Sequence, residues 1–148
     1  TVRRAERVDS RRVWEIRSDP ETSRLSRPFN TPPEDSDRWF EKKYFSGADN
    51  HCFVLIDENG EVVGYSRYDH DPDSDHYLVS IAVDSRYYER GLGYQLLSES
   101  TSLLEPQKKL YAEIPKVNTT ARKLFEKNGY VVVHEDSADY HLVKQVSC

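Results

Sequence analysis

The sequence predicts an α+β fold with elements in the order β-α-α-β-β-β-α-β-α-β-β. Three observations carry this reading. His51–Asp57 and Glu61–Tyr68 are strand-like runs joined by Glu58-Asn59-Gly60, the signature of a β-hairpin. Val79–Leu97 passes from an apolar strand through Arg90-Gly91-Leu92-Gly93 into an apolar-periodic helix. Further on, Leu110–Ile114 reads as a strand and Asn118–Asn128 as a short helix stopped by Gly129, before another strand opens at Tyr130.

Taken in order, Thr1–Val8 reads as the first strand. Asp9 or Ser10 caps a helix reaching Ser18, with Val13, Trp14 and Ile16 turned inward. Asp19-Pro20 ends that helix, and Glu21–Asn30 is a loop rich in turn formers. Thr31 as N-cap, Pro32 at the first helical position and Glu34 at the third start the next helix. It carries Trp39, Phe40 and Tyr44 and stops near Gly47. After the hairpin come an acidic loop, Asp69–Asp75, the strand Tyr77–Val83 and the helix Gly91–Leu104, broken by Glu105-Pro106. Lys109–Ile114 is a strand, and Tyr130–His134 and Tyr140–Val143 form a last hairpin. No repeat or low-complexity linker divides the chain.

The 148 residues fit one domain, 1–148, with a single sizeable core. A net charge of −5 argues against a dedicated nucleic-acid binder. No apolar run has the length of a membrane span, so no membrane association is expected. No signal peptide is visible, and Cys52 and Cys148 imply no disulfide framework, so a reducing cytoplasm is the expected compartment. The chain opens at Thr1 and holds no Met, the pattern of a processed, trimmed or excised chain. Residues 1–27 hold eight arginines against five acids. Most of these arginines read as a solvated surface; Arg17 or Arg27 is a candidate to meet phosphates of a nucleotide-linked substrate.

Backbone N–H groups at a helix start lack intrahelical partners and carry partial positive charge. Glycines there clear the approach, so Arg90–Tyr94 forms a cradle for a diphosphate, or else simply a tight strand–helix connection. The dinucleotide pattern G-x-G-x-x-G fails at Leu96, and no Gly-Lys pair exists for a Walker loop. The glycine segment together with Asn118–Tyr130, in this order, resembles the GNAT family of acetyl-CoA-dependent N-acetyltransferases. The first part looks like the family's acetyl-CoA-binding motif. The second is similar to its N-x-x-A-x-x-L-Y-x-K-x-G-F segment.

This resemblance implies a three-layer α/β/α arrangement whose mixed, mostly antiparallel sheet splays beside the fourth strand. It implies acetyl-CoA as co-substrate and a small-molecule amine as acceptor. It leaves room for a homodimer and for a place in a longer fused chain. Pantetheine would pair with the backbone of Ile81, Ala82 and Val83. The diphosphate would fall on the N–H groups of Arg90, Gly91, Leu92, Gly93 and Tyr94, and Asn118 would touch the cofactor arm. Tyr88 and Phe125 occupy further cofactor positions of the two motifs, and both depart from the family pattern. Tyr88 stands where the family has Arg or Gln, and Arg86 or Arg90 is at hand to supply the charge. Phe125 stands where many members place a Tyr that protonates the departing thiolate. Tyr130 or Tyr88 would replace it, or water would, since a thiol pKa near 8.5 makes an unassisted leaving group tolerable.

Acetyl transfer also needs a deprotonated amine. Glu113 is the leading base, with an outward-facing strand carboxylate as the equally weighted alternative; His76 and Ser80 are placed to act through water. His70, His134 and His141 belong at hairpin edges. No metal is expected. Asp71-x-Asp73-x-Asp75 lacks the later EF-hand positions, and the five histidines show no zinc spacing. Ile16–Pro20, Ser26–Asn30 and Trp39–Lys43 resemble the amino-sugar acetyltransferases of pseudaminic and related nonulosonic acid biosynthesis. That resemblance implies a nucleotide-linked amino sugar, on which Trp39, Phe40 and Phe29 would stack, with Phe40 better read as core. Acetylation of a protein N-terminus or side chain, and a catalytically silent acyl-CoA-binding module, are the alternatives.

Overall fold

Side chains along a strand alternate between faces, so the polar–apolar pattern of the middle strands decides where each helix packs. The computed structural model describes residues 1–27, 29–88, 90–105 and 108–144; Pro106 and Cys148, singled out above, lie outside the described residues. Among the described residues seven strands form one sheet: β1 (Val2–Arg4), β2 (Asn50–Ile56), β3 (Val62–Asp71), β4 (His76–Val83), β5 (Lys109–Pro115), β6 (Val131–Glu135) and β7 (Asp139–Lys144). Their spatial order is β1-β2-β3-β4-β5-β7-β6, and every pairing is antiparallel except β4 with β5.

Five α-helices among the described residues flank the sheet: α1 (Ser10–Ser18), α2 (Pro20–Leu25), α3 (Pro33–Tyr44), α4 (Leu92–Leu103) and α5 (Thr119–Lys127). On one face Val13 and Ile16 of α1 and Phe40 of α3 pack on Cys52, Val54 and Tyr65. On the other, Leu97 of α4 and Phe125 of α5 pack on Phe53, Tyr68, Tyr77, Val79, Ala112 and Leu142. Tyr65 and Tyr68, three residues apart on β3, therefore serve opposite cores, as period-2 alternation requires. The three-layer, mixed-sheet expectation holds.

Local chemistry moved several boundaries. The Asp19 side chain accepts the Glu21 N–H at 2.9 Å and Pro20 sits in the first turn, so Asp19-Pro20 starts α2 within the segment read as loop. The first strand ends at Arg4, because Asp9 takes the Glu6 N–H at 2.7 Å and turns the chain into a short 3-10 segment. Pro32, rather than Thr31, holds the N-cap position of α3; the Thr31 carbonyl accepts the Trp14 indole N–H at 2.8 Å instead. β3 runs on to Asp71, and the acidic turn shrinks to four residues with Asp75 at φ 52°.

Candidate active site

The site begins with a failure of pairing. β4 and β5 share register only at His76↔Lys109, Tyr77↔Leu110 and Leu78↔Tyr111. β3 stays paired to β4 as far as Gly64↔Val83, and β5 to β7 as far as Pro115↔Asp139. Beyond Leu78 and Tyr111 the two parallel strands thus part, and Ser80 to Val83 are only half-buried. The β4 edge facing the gap has main-chain groups that no neighbouring strand takes up. Main-chain groups of this kind seek a partner, and an extended amide-bearing arm such as pantetheine can supply one.

The glycine turn follows directly. Gly91 takes φ +72°, a conformation that favours glycine, and a Cβ added there would meet nothing within 4 Å. The Gln95 N–H returns to the Gly91 carbonyl at 3.3 Å, so the N–H groups of Leu92, Gly93 and Tyr94 precede the first helical bond. An open space and a helix N-terminus whose first N–H groups have no intrahelical partner fit a diphosphate. Gly93 has a different neighbour: its Cβ would lie 3.0 Å from Leu124 Cδ2 of α5. The Asn118 side chain caps α5 by accepting the Ala121 N–H at 3.1 Å through its oxygen, which does not use its amide donors.

The two nearby arginines divide their tasks. Arg86 pairs with Asp84 at 2.8 Å, and Arg12 holds the same carboxylate at 2.5 Å. Arg90 lies over the Tyr87 ring at 5.1 Å and forms no ion pair among the described residues, unlike Arg86. Tyr88 is 37 % exposed and is surrounded by Asp19, Glu21 and Arg24; partial burial raises its pKa. A cavity of about 540 Å³ shares Arg90 and Leu92 with this turn. None of its lining residues belongs to β5 or α5, so it adjoins the cradle rather than the gap between the strands.

Phe125 and Tyr130 lie deeper than the sequence suggests. Phe125 is 2 % exposed, and its ring meets Tyr130 edge-on at 4.8 Å. Tyr130 is 3 % exposed, its hydroxyl has no hydrogen-bond partner among the described residues, and burial pushes its pKa well up. Both rings belong to the core beneath α4 and α5. The geometry argues against Tyr130 as a proton donor that solvent or substrate can reach.

On the α1–α3 face, Glu113 is exposed on β5 and paired with Arg27 at 3.1 Å; the same guanidinium reaches Asp139 at 3.3 Å. Arg27 thereby ties the segment after α2 to β5 and β7. The Glu113 carboxylate also stands 3.4 Å from the Tyr111 hydroxyl. Sequence spacing gave no hint of the next contact. The Tyr111 hydroxyl also hydrogen-bonds His141 Nδ1, and His141 Nε2 donates to Asp136 Oδ2 at 2.9 Å. That chain holds the Asp136 carboxyl well below its usual range, through His141 first and the Asp139 and Ala138 N–H groups next. Burial and the Glu113 charge push Tyr111 up. His134, read as an edge residue, stacks on His141 at 5.2 Å; with Asp136 the two place ligand-capable atoms within 4.8 Å of one another.

The chain matches the acetyltransferase (GNAT) family over residues 11–130, and it belongs to that family. It is an acetyl-CoA-dependent N-acetyltransferase, with acetyl-CoA as co-substrate. No curated protein sequence matches it. Among solved structures, it is similar to a candidate phosphinothricin N-acetyltransferase at 26 % identity and a TM-score of 0.84, covering 99 % of this chain and 98 % of that one. A candidate acetyltransferase from Salmonella typhimurium, solved with its cofactor acetyl-CoA, shares 22 % identity at a TM-score of 0.80, over 99 % of this chain and 94 % of that one. A spermidine N-acetyltransferase from Vibrio cholerae, solved with CoA and spermine, shares 16 % identity at a TM-score of 0.78, over 97 % and 92 %. At these lower identities the likeness is one of fold. Among the described residues, no helix is long and apolar enough to cross a membrane.

Proposed function

We propose that residues 1–148 form one acetyltransferase domain that acetylates the primary amine of a small molecule bound on the α1–α3 face of the sheet. The observation that supports this most is the parting of β4 and β5 after three paired residues, next to the unpaired donors of the glycine turn.

Acetyl-CoA supplies an activated acetyl thioester. In this reading Ile81, Ala82 and Val83 offer main-chain groups to the pantetheine arm. Arg90 and the N–H groups of Gly91 to Tyr94 neutralise the diphosphate, and Asn118 and Tyr88 border the arm. Glu113 takes the proton of the attacking amine, directly or through water, with Tyr111 and His141 beside it. Burial assigns Tyr130 to the core, which leaves water to reprotonate the departing thiolate.

For the acceptor, the resemblance at Ile16–Pro20, Ser26–Asn30 and Trp39–Lys43 favours a nucleotide-linked amino sugar. A second reading, an amino-acid-like amine, draws on the 26 % identity to the candidate phosphinothricin N-acetyltransferase. Polyamines and basic peptides suit this face less well, because Arg17 and Arg67 both lie over Trp39 there. Calorimetry with acetyl-CoA, followed by thiol-release assays on a UDP-linked 4-amino sugar, phosphinothricin, spermidine and a basic peptide, tests the assignment. Acetyl-CoA binding with turnover on one of the first two is expected. Turnover confined to the peptide, or no acetyl-CoA binding, would overturn it.

A further inference from the structure

We propose that Arg17 anchors an oxyanion group of the acceptor, phosphate, phosphinate or carboxylate, while the amine lies toward β4 and β5. The inference rests on the acceptor face proposed above, but it stands on its own geometry.

Arg17 closes α1 and is half-buried. Its guanidinium lies over two rings, 4.2 Å from the Phe29 centroid and 4.9 Å from that of Trp39. Arg67 lies over the same indole at 5.3 Å. Phe29, Arg17, Trp39 and Arg67 thus form one group in which two cations lie over a single indole. Among the described residues one carboxylate pairs with them: Asp69 meets Arg67 at 3.1 Å and is itself bound by the Tyr44 hydroxyl at 2.8 Å.

Arg17 forms no ion pair and its guanidinium no hydrogen bond among the described residues. Ring faces satisfy the flat sides of a guanidinium but not its five N–H donors, which lie in the plane. Arg67 adds a buried Nε with no hydrogen-bond partner among the described residues. Burial and the Arg67 charge both work against the Arg17 cation, and a bound anion would offset both. The contrast with Arg27 is informative. The sequence offered both as phosphate contacts, but Arg27 already holds Glu113 and Asp139. Arg67 is the register partner of Ser80, so the stack stands one strand away from the gap between β4 and β5. An acceptor with an amine at one end and an oxyanion at the other fits that spacing in kind.

The oxyanion has two sources, the diphosphate of a nucleotide sugar or the acidic groups of an amino acid. The chain has two tryptophans, so a Trp14→Phe background leaves Trp39 as the reporter of anion binding. Four probes are titrated: a UDP-linked 4-amino sugar and the same sugar without UDP, then phosphinothricin and n-butylamine. One anionic member is expected to change Trp39 emission saturably, and its identity names the source. Arg17→Gln should weaken that binding about tenfold or more, as for loss of a charged hydrogen bond, and Arg17→Lys should weaken it less. Circular dichroism of both variants checks that they fold. The inference is overturned if neither anion is sensed, if Arg17→Gln binds as tightly as its parent, or if an amine alone binds as well as its anionic partner. Acetyl-CoA affinity is measured on the same samples. Its absence would sink the acetyltransferase reading, while the Trp39 titration still decides the role of Arg17.

Discussion

Gly93 and Leu124 meet where α4 crosses α5, with room for a hydrogen but not comfortably for a methyl: an added Cβ would lie 3.0 Å from Leu124 Cδ2. Gly91, two residues earlier, faces open space at φ +72°. The two glycines of one motif thus answer to different constraints, one conformational and one steric.

Gly93→Val should therefore destabilise the fold by about 1–3 kcal/mol through overpacking, read as a lower urea midpoint. Leu124→Ala in the same chain should recover part of that loss, a coupling that a double-mutant cycle measures. If no coupling appears, the contact does not constrain Gly93.

Gly91→Trp should act on the ligand. A non-glycine residue at this φ costs roughly 1–2 kcal/mol, which leaves the protein folded. The indole would lie across the helix N-terminus, and acetyl-CoA affinity by calorimetry should fall at least about tenfold. Unchanged affinity would remove the cradle from the site.

Glu113→Gln should lower kcat by about a hundredfold or more with little change in acetyl-CoA affinity, as expected for loss of a general base. His141→Gln separates the two proton routes on β5. If Tyr111 passes the proton to His141, this variant loses kcat as well and the pH–rate profile changes shape. If Glu113 acts alone, kcat stays within a few-fold of the parent.

Tyr130→Phe removes a buried hydroxyl without a partner. Such a group costs stability rather than adding it, so the variant should be as stable as the parent or slightly more so, with kcat unchanged. A large fall in kcat would return Tyr130 to the role the sequence suggested.

Asp84 ties α1 to the loop before the glycine turn through Arg86 and Arg12, and these contacts depress its pKa, Arg86 foremost. A folded value below the unfolded one means the stabilisation is complete above the ordinary carboxylate pKa, about 3.9, and is lost as pH falls below it. Asp84→Asn should cost roughly 1–3 kcal/mol near neutrality and flatten the acid limb of the stability curve. An unaltered acid limb would show that other carboxylates control it.

What the residues determined by themselves was local. Strand alternation, the hairpin at Asn59-Gly60, the glycine turn and the Asn118 cap act within a few residues of chain, so the order of the strands and of every helix but α2 was legible in the sequence, while the three-layer arrangement came from the family resemblance. Asp19-Pro20 ends α1 as read, but the same pair also caps α2, which was read as loop, because a pair that stops one helix can cap the next. Of the candidate site, the sequence offered residues for the backbone half and Glu113, without the contacts around them. Tyr111, His141 and Asp136 come from two strands and a turn, and Arg17, Trp39 and Arg67 from two helices and a strand; no spacing along the chain announces either group. Partnership is likewise a tertiary property. Arg27 and Arg17 look alike in sequence, yet among the described residues one is held by two carboxylates and the other by none, because charge pairing depends on what the fold brings within reach.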